Sequence, residues 1–292
     1  MYQRSGLGKA LVVGRADDVK AKLTAAGMED AYRELEVVNA ANTQHLETYK
    51  SFLYNRLQRK GSDSKDIHRL AARDRHVFAA LMLAHGHGDG LVTGATRKSA
   101  HVLERLNHVF DANAKHGAVG ITALLHKGRI VFIGDTLVHE WPNEEDLANI
   151  AEKGAKVARH MGLEPRVAFV SFSTFGYPVS ERAEKMQRAP DVLDARGVDF
   201  EYEGEMTVDV ALNAESQKNY SFSRLTGPAN ILVVPARHSA SISVKLMQEM
   251  AGATVIGPIL TGLDKSIQIC STTSTANDIL NMAILAACKV GE

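Results

Sequence analysis

Short runs of β-branched and apolar residues alternate with helix-period patterns along this chain, and that alternation confines it to the α/β class. The spacing predicts strands at Lys9–Val13, Gly90–Thr93, Val119–Leu125, Arg129–Ile133, Arg166–Ser171, Asn230–Val234 and Ala253–Ile256. Several are continuous apolar runs, the pattern of strands covered on both faces. After Pro142, Asn143 reads as an N-cap, and Glu144, Glu145 and Asp146 place negative charge in the first helical turn. Leu147, Ile150, Ala151, Ala155 and Ala158 then share one helix face, and Gly162 ends the helix before the turn Leu163-Glu164-Pro165. The result is a strand–helix–strand unit from Ile130 to Val170, for which a right-handed crossover is expected. Further helices are expected at Asp74–Ala84, at Ser241–Met250 before Gly252, and from about Ala276 to Val290. Lys60–Lys65 is the one stretch that reads as a candidate for disorder. Tyr2–Gly8 enters directly onto a strand, so the chain is expected to begin inside a longer polypeptide.

The 292 residues suffice for two lobes. Lys+Arg and Asp+Glu both number 34, so no global basic field draws nucleic acid or an anionic membrane. No apolar run approaches the roughly 20 residues that span a bilayer, and the N-terminus lacks an apolar leader core. Two cysteines, Cys270 and Cys288, are too few for a disulfide framework, which points to reduced thiols and a cytoplasmic location.

The densest chemistry lies near the end of the chain. Gly257-Pro258 reads as a turn, and the hydroxyl-rich loop Ser271-Thr272-Thr273-Ser274-Thr275 leads to Asp278 in the first turn of the last helix. Hydroxyls and N–H groups gathered at a helix N-terminus favour an anion, and an acid there can take a thiol proton. Thr275 and Asp278 also fit a capping box, which accounts for the same spacing without any chemistry. Ser171-Phe172-Ser173-Thr174-Phe175-Gly176 follows a strand, where α/β folds bind ligands, although as a bare pattern it is weak and a plain loop is the better explanation. His85 and His87 lie too close together for a metal site and read as solvated loop histidines. Gly6-Leu7-Gly8-Lys9 precedes a strand and so fails the context of a phosphate loop. Arg56, Arg59, Lys60, Lys65, Arg69, Arg73 and Arg75 form a basic stretch. It is either a solvated helix surface or a dock for nucleotide phosphates, with too few aromatics for RNA. Cys270 reads as a small buried apolar residue.

Taken in order, these segments resemble the phosphate acetyl/butyryl-transferase family over nearly the whole chain. The resemblance rests on Asp89-Gly90-Leu91-Val92-Thr93-Gly94-Ala95-Thr96, Gly134-Asp135 through Pro142, Glu164-Pro165-Arg166-Val167-Ala168 and Ser171-Phe172-Ser173-Thr174. It also rests on Gly204-Glu205-Met206-Thr207-Val208-Asp209, Ala229-Asn230-Ile231-Leu232 and Ala251-Gly252 through Lys265. Ser173-Thr174-Phe175-Gly176, Lys265-Ser266-Ile267-Gln268-Ile269 and Asn281-Met282-Ala283 are similar to the version fused behind bacterial NADP-dependent malic-enzyme domains.

The resemblance implies a phosphotransacetylase-like fold of two α/β lobes with mainly parallel sheets and an inter-lobe cleft. Residues 1–114 and 262–292 would form the first lobe and 115–261 the second, through which the family dimerises. It also implies an acetyl-CoA-binding, allosteric inhibitory domain. Ser271, Thr272, Ser274 and Asp278 would line the acyl end, with Ser173 and Thr174 across the cleft, and Arg56, Arg59 and Arg73 would be candidates for the CoA phosphates. No catalytic residue and no metal ligand is expected here, with Ser271 and Asp278 vestigial. NADP and a divalent metal would belong to upstream malic-enzyme domains, the partners besides a second copy of the chain. Where the active family carries Arg and Gly after its Ser, this chain has Thr272 and Thr273. An Arg on the helix after the Gly-Ala-Thr motif falls on Glu104, with Arg105 adjacent; a loop Lys is Phe175 and an Asn is Ser241. An active phosphate acetyltransferase and a structural dimerisation module are the alternatives.

Overall fold

The computed structural model describes residues 1–110 and 117–290, with the side chains of Glu181 and Arg182 left aside. The lobe boundary expected between residues 114 and 115 lies outside the described residues. The chain separates into a unit built from Met1–Asn113 with Asp264–Lys289 and a second built on Ala114–Leu263.

The first unit begins with a peripheral strand–helix–helix–strand layer: β1 (Leu11–Val13), α1 (Ala16–Ala25), α2 (Glu29–Glu34) and β2 (Glu36–Val38). The two strands pair in parallel, and neither helix buries a residue. Helices α3 (Leu46–Leu57), α4 (Ser64–Arg73) and α5 (Arg75–Ala84) follow. Lys60–Lys65 is ordered rather than loose. A short 3-10 turn at Gln58–Lys60 ends on Gly61 at φ +88°, and Asp63 caps α4 by accepting from the N–H groups of Lys65 and Asp66. Asp74 precedes α5 as its N-cap and accepts from His76 and Val77. Seven consecutive residues of α5, Val77 to Leu83, are buried, so this helix is the spine of the unit. Then come β3 (Gly90–Gly94) and α6 (Ser99–Leu106).

The second unit contains β4 (Val119–His126), β5 (Arg129–Gly134), α7 (Glu144–His160), β6 (Arg166–Val170), α8 (Glu181–Arg196) and β7 (Glu201–Met206). It continues through α9 (Val208–Leu212), α10 (Ala214–Gln217), β8 (Ile231–Val233), α11 (Arg237–Ala251) and β9 (Thr254–Thr261). Its six strands run in the order β7-β6-β8-β5-β4-β9; the first four are mutually parallel, while β4 is antiparallel to β5 and to β9. The unit from Ile130 to Val170 thus spans β5, α7 and β6, but β8 is inserted between its two strands. Asn143 and Asp146 form the capping box of α7, and Gly162 follows at φ +76°. Leu124, Ile133, Ala168 and Leu232 pack with Ala240 of α11, while their strand neighbours Ile121 and Ile231 meet α7 at Gly154. Alternation along the strands therefore supplies a core on each face of the sheet. Gly257-Pro258 is no turn: it lies inside β9, where the register against β4 shifts between Ile121 and Ala123.

The chain returns to the first unit with β10 (Ser266–Cys270), which pairs in parallel with β3, and α12 (Ala276–Ala287), which packs on both. Sequence periodicity misses β2, β7 and β10. In β7 the carboxylates of Glu203 and Glu205 disguise a strand, yet both are buried. All five residues of β10 are buried, including Ser266 and Gln268. Among the described residues no helix is long and apolar enough to cross a membrane.

Candidate functional site

Because β3 and β10 run in parallel, their C-terminal ends deliver Gly94 and Cys270 side by side and launch two neighbouring loops. The approach is close. Ala95 N–H donates to the Cys270 carbonyl at 3.1 Å, and a Cβ on Gly94 would lie 2.2 Å from that oxygen. The hydroxyl loop then folds on itself. Ser271 Oγ lies 3.1 Å from Thr273 Oγ1 and accepts from Thr273 N–H at 3.3 Å, and Ser274 N–H donates to the Ser271 carbonyl at 3.2 Å. Ser271, Thr272 and Thr273 are exposed, and Ser274 and Asp278 half-buried.

The capping box is real. Thr275 Oγ1 accepts from Asp278 N–H at 3.2 Å, and Asp278 Oδ2 accepts from Thr275 N–H at 2.8 Å and from its hydroxyl at 2.9 Å. Asp278 is thus a structural acceptor in this state, with its carboxylate held at the start of α12. Cys270, 3% exposed, has its thiol pushed up to about 11 by burial, with the nearby Asp278 carboxylate adding to the rise. It is a protonated, unreactive thiol near neutral pH.

Arg105 on α6 is engaged by its neighbours. Arg105 Nε lies 3.3 Å from Asp74 Oδ2 and 3.4 Å from His101 Nε2, and Nη1 lies 3.4 Å from His108 Nε2. Glu104 is exposed, 3.7 Å from His101. His76 Nδ1 sits 2.7 Å from Thr93 Oγ1 at the end of β3, and burial lowers its proton affinity.

Ser173 and Thr174 belong to the second unit. Ser173 has no exposed surface and donates its hydroxyl to Glu205 Oε1 at 2.7 Å, so it braces the loop. The same oxygen accepts from Gly176 N–H at 3.1 Å and Gln187 Nε2 at 3.3 Å, which satisfies a buried carboxylate. Thr174 is half-buried; its hydroxyl lies 3.3 Å from Thr207 Oγ1 and accepts from Thr207 N–H at 3.1 Å. Phe175 stands at φ +49°, its ring 4.7 Å from Phe222 and 5.2 Å from Tyr220.

The three arginine candidates lie on three successive elements. Arg56 is half-buried with its guanidinium 5.7 Å from the Phe52 ring centroid, Arg59 is exposed in the 3-10 turn, and Arg73 closes α4. Only Arg73 of the three lines the groove between α3 and α4. His85 and His87 are not simply solvated: His87 Nδ1 lies 2.7 Å from Tyr49 Oη, and the His85 ring is 4.9 Å from the Tyr49 ring. Among the described residues no group of three or more His, Cys, Asp or Glu could hold a metal ion.

Sequence reasoning overlooked Asp135. Its carboxylate, 2% exposed, accepts from the N–H groups of Gly120, Leu137, Val138 and His139 and from His139 Nδ1 at 2.7 Å. The Gly134-Asp135 pair was the only available signal, because one partner comes from β4, fifteen residues earlier, and the others from the loop that follows.

A family model described as phosphate acetyl/butaryl transferase matches residues 1–287. An NADP-dependent malic enzyme of Rhizobium meliloti is 46% identical over 290 residues, which cover 99% of this chain and 38% of that protein. The chain thus spans well under half the length of this relative. A phosphate acetyltransferase of Clostridium acetobutylicum is 28% identical over 292 residues, covering 97% of this chain and 86% of that one. Among solved structures, a phosphotransacetylase from Streptococcus pyogenes superposes with a TM-score of 0.89 at 24% identity, covering 99% of this chain and 88% of the other.

Proposed function

From the premise that the chain belongs to the phosphate acetyl/butaryl transferase family, we propose that it is a cytoplasmic acetyl-CoA-binding regulatory domain of an NADP-dependent malic enzyme, retaining the transferase fold without useful turnover. One observation carries the reading. Thr272 stands where the family places an anion-clamping Arg, a second family Arg falls on Glu104, and Arg105, the neighbour of Glu104 that could stand in for that second one, is held by Asp74 and two histidines. Arg grips a phosphoryl group through a two-pronged fork that a threonine hydroxyl lacks. Loss of one such clamp commonly costs on the order of 10²–10³ in rate. Phe175, packed among aromatic rings in place of a loop Lys, removes a second cation.

Acetyl-CoA would be recognised by the exposed hydroxyls of Ser271 and Thr272, by Ser274, and by the α12 N-terminus with Asp278. Ser173 braces its own loop in the second unit through Glu205. The bound thioester would favour one arrangement of the assembly, shifting upstream malic-enzyme domains, with their NADP and divalent metal, toward inactivity. Such coupling typically amounts to about 1–3 kcal/mol. Self-association is supported by Ile242, Leu246 and Met250, which form an exposed apolar stripe on α11 in the second unit.

Titration calorimetry with acetyl-CoA, alongside an assay of thioester formation from acetyl phosphate and CoA, tests the reading. Saturable acetyl-CoA binding with no turnover above background is expected; robust turnover would sink it. Active transfer is the second reading, favoured by the presence of both Ser271 and Asp278. Absence of binding and of turnover would leave the structural module.

A further inference from the structure

The outer face of the α3–α4 pair carries a groove of about 780 Å³, inside the range of small-molecule sites. It lies wholly within the first unit and takes no residue from the hydroxyl loop. One wall is a cationic stripe on α4. Lys65, Arg69 and Arg73 recur at i, i+4 and i+8 and so share one helix face, spanning about 12 Å along the axis. The facing wall, from α3, offers Lys50, Ser51, Asn55 and the ring of Tyr54, which is 43% exposed.

The charges are not cancelled. Lys50 pairs with Glu47 at 2.9 Å and Arg69 with Asp66 at 2.8 Å, each within its own helix. Lys65 and Arg73 have no carboxylate partner among the described residues, so the lining keeps two positive charges in excess. Buried Ile67, Leu70 and Ala71 account for the inner face of α4; nothing in the packing calls for the outer stripe. A row of cations beside an accessible aromatic ring matches an anion drawn out along the helix with a flat base at one end: phosphates on the stripe, base on the ring.

We propose that the α3–α4 groove binds a phosphorylated nucleoside, with Lys65, Arg69 and Arg73 holding its phosphates and Tyr54 stacking its base. The proposal does not rest on the acetyl-CoA reading. Two sources share this chemistry, a free nucleoside polyphosphate and the nucleotide half of a CoA thioester.

Calorimetry on the full chain separates them, with ATP, 3′-phospho-ADP, pyrophosphate, adenosine and acetyl-CoA as probes. ATP or 3′-phospho-ADP is expected to bind, with affinity falling steeply as salt rises. The double variant Lys65→Glu/Arg73→Glu should weaken that binding at least about tenfold, equivalent to ~1.4 kcal/mol. Tyr54→Ala should weaken nucleotide binding while leaving pyrophosphate within about twofold. All three residues are exposed, and an unchanged melting curve confirms that the variants fold. If the charge reversal weakens acetyl-CoA and 3′-phospho-ADP in parallel, the thioester is the source; if it weakens ATP alone, a free nucleotide is. Silence with both nucleotides at millimolar concentration, or binding indifferent to the charge reversal, overturns the proposal. Retained acetyl-CoA binding in that case leaves the regulatory reading standing. Charge-dependent nucleotide binding without any acetyl-CoA binding upholds the groove and overturns the regulatory reading instead.

Discussion

Cys270 ends β10 at 3% exposure, while Cys288 is exposed just beyond α12. A thiol-specific chromogenic reagent should therefore label one cysteine rapidly in the native protein and both in denaturant. The Cys288→Ser variant should show almost no native reaction, and fast native labelling of Cys270 would contradict its burial. His139 supplies a second residue-scale test. Its hydrogen bond to Asp135 raises its proton affinity above that of an ordinary imidazole, against an opposing contribution from burial. The folded state then binds this proton more tightly than the unfolded chain. The stabilisation is complete below about pH 6.5 and disappears as pH rises through the elevated midpoint. The imidazole resonance of His139 should titrate above 6.5, and His139→Gln should lower the denaturation midpoint at pH 5.5 more than at pH 9.

Among the elements, the α12 cap and the β3–β10 junction set the geometry of the hydroxyl loop. Thr275→Ala removes the N-cap acceptor and should cost about 1 kcal/mol in chemical denaturation. Gly94→Ala should be worse, on the order of 3 kcal/mol, because the new methyl meets the Cys270 carbonyl at a positive φ of 105°. Much at this scale is legible in sequence. The Asn143 cap and Gly162 stop of α7 and the Thr275–Asp278 box follow from spacing alone, since their partners are a few residues apart. What escapes is whatever depends on distant partners. Glu203 and Glu205 make β7 look polar until Arg224 and Ser173 arrive to pair with them. Gly257-Pro258 looks like a turn until β4 lies alongside and absorbs it as a register shift. That Thr272 carries no positive charge is visible in the sequence; the engagement of Arg105 by Asp74 is visible only in the fold.

For the molecule as a whole, the two units differ in how the chain builds them. The second is made almost wholly from one continuous segment, Ala114–Leu263, with its own six-stranded sheet. A fragment of residues 117–263 should melt cooperatively in calorimetry, whereas 1–113 alone should not, lacking the strand that pairs with β3 and the helix that covers both. Failure of the first fragment to fold would mean that the units are stabilised mutually. The pairing of β3 with β10 has a consequence for synthesis. A ribosome delivers roughly 5–20 residues each second, and β3 emerges with its N–H and C=O groups unpaired while the entire second unit is still to be made. The first unit is completed last, by the closing residues of the chain. A premature stop only slightly upstream of β10 would therefore strand a finished second unit beside an exposed edge. Such a product would be a substrate for chaperones and proteases, although most of its length is correctly folded.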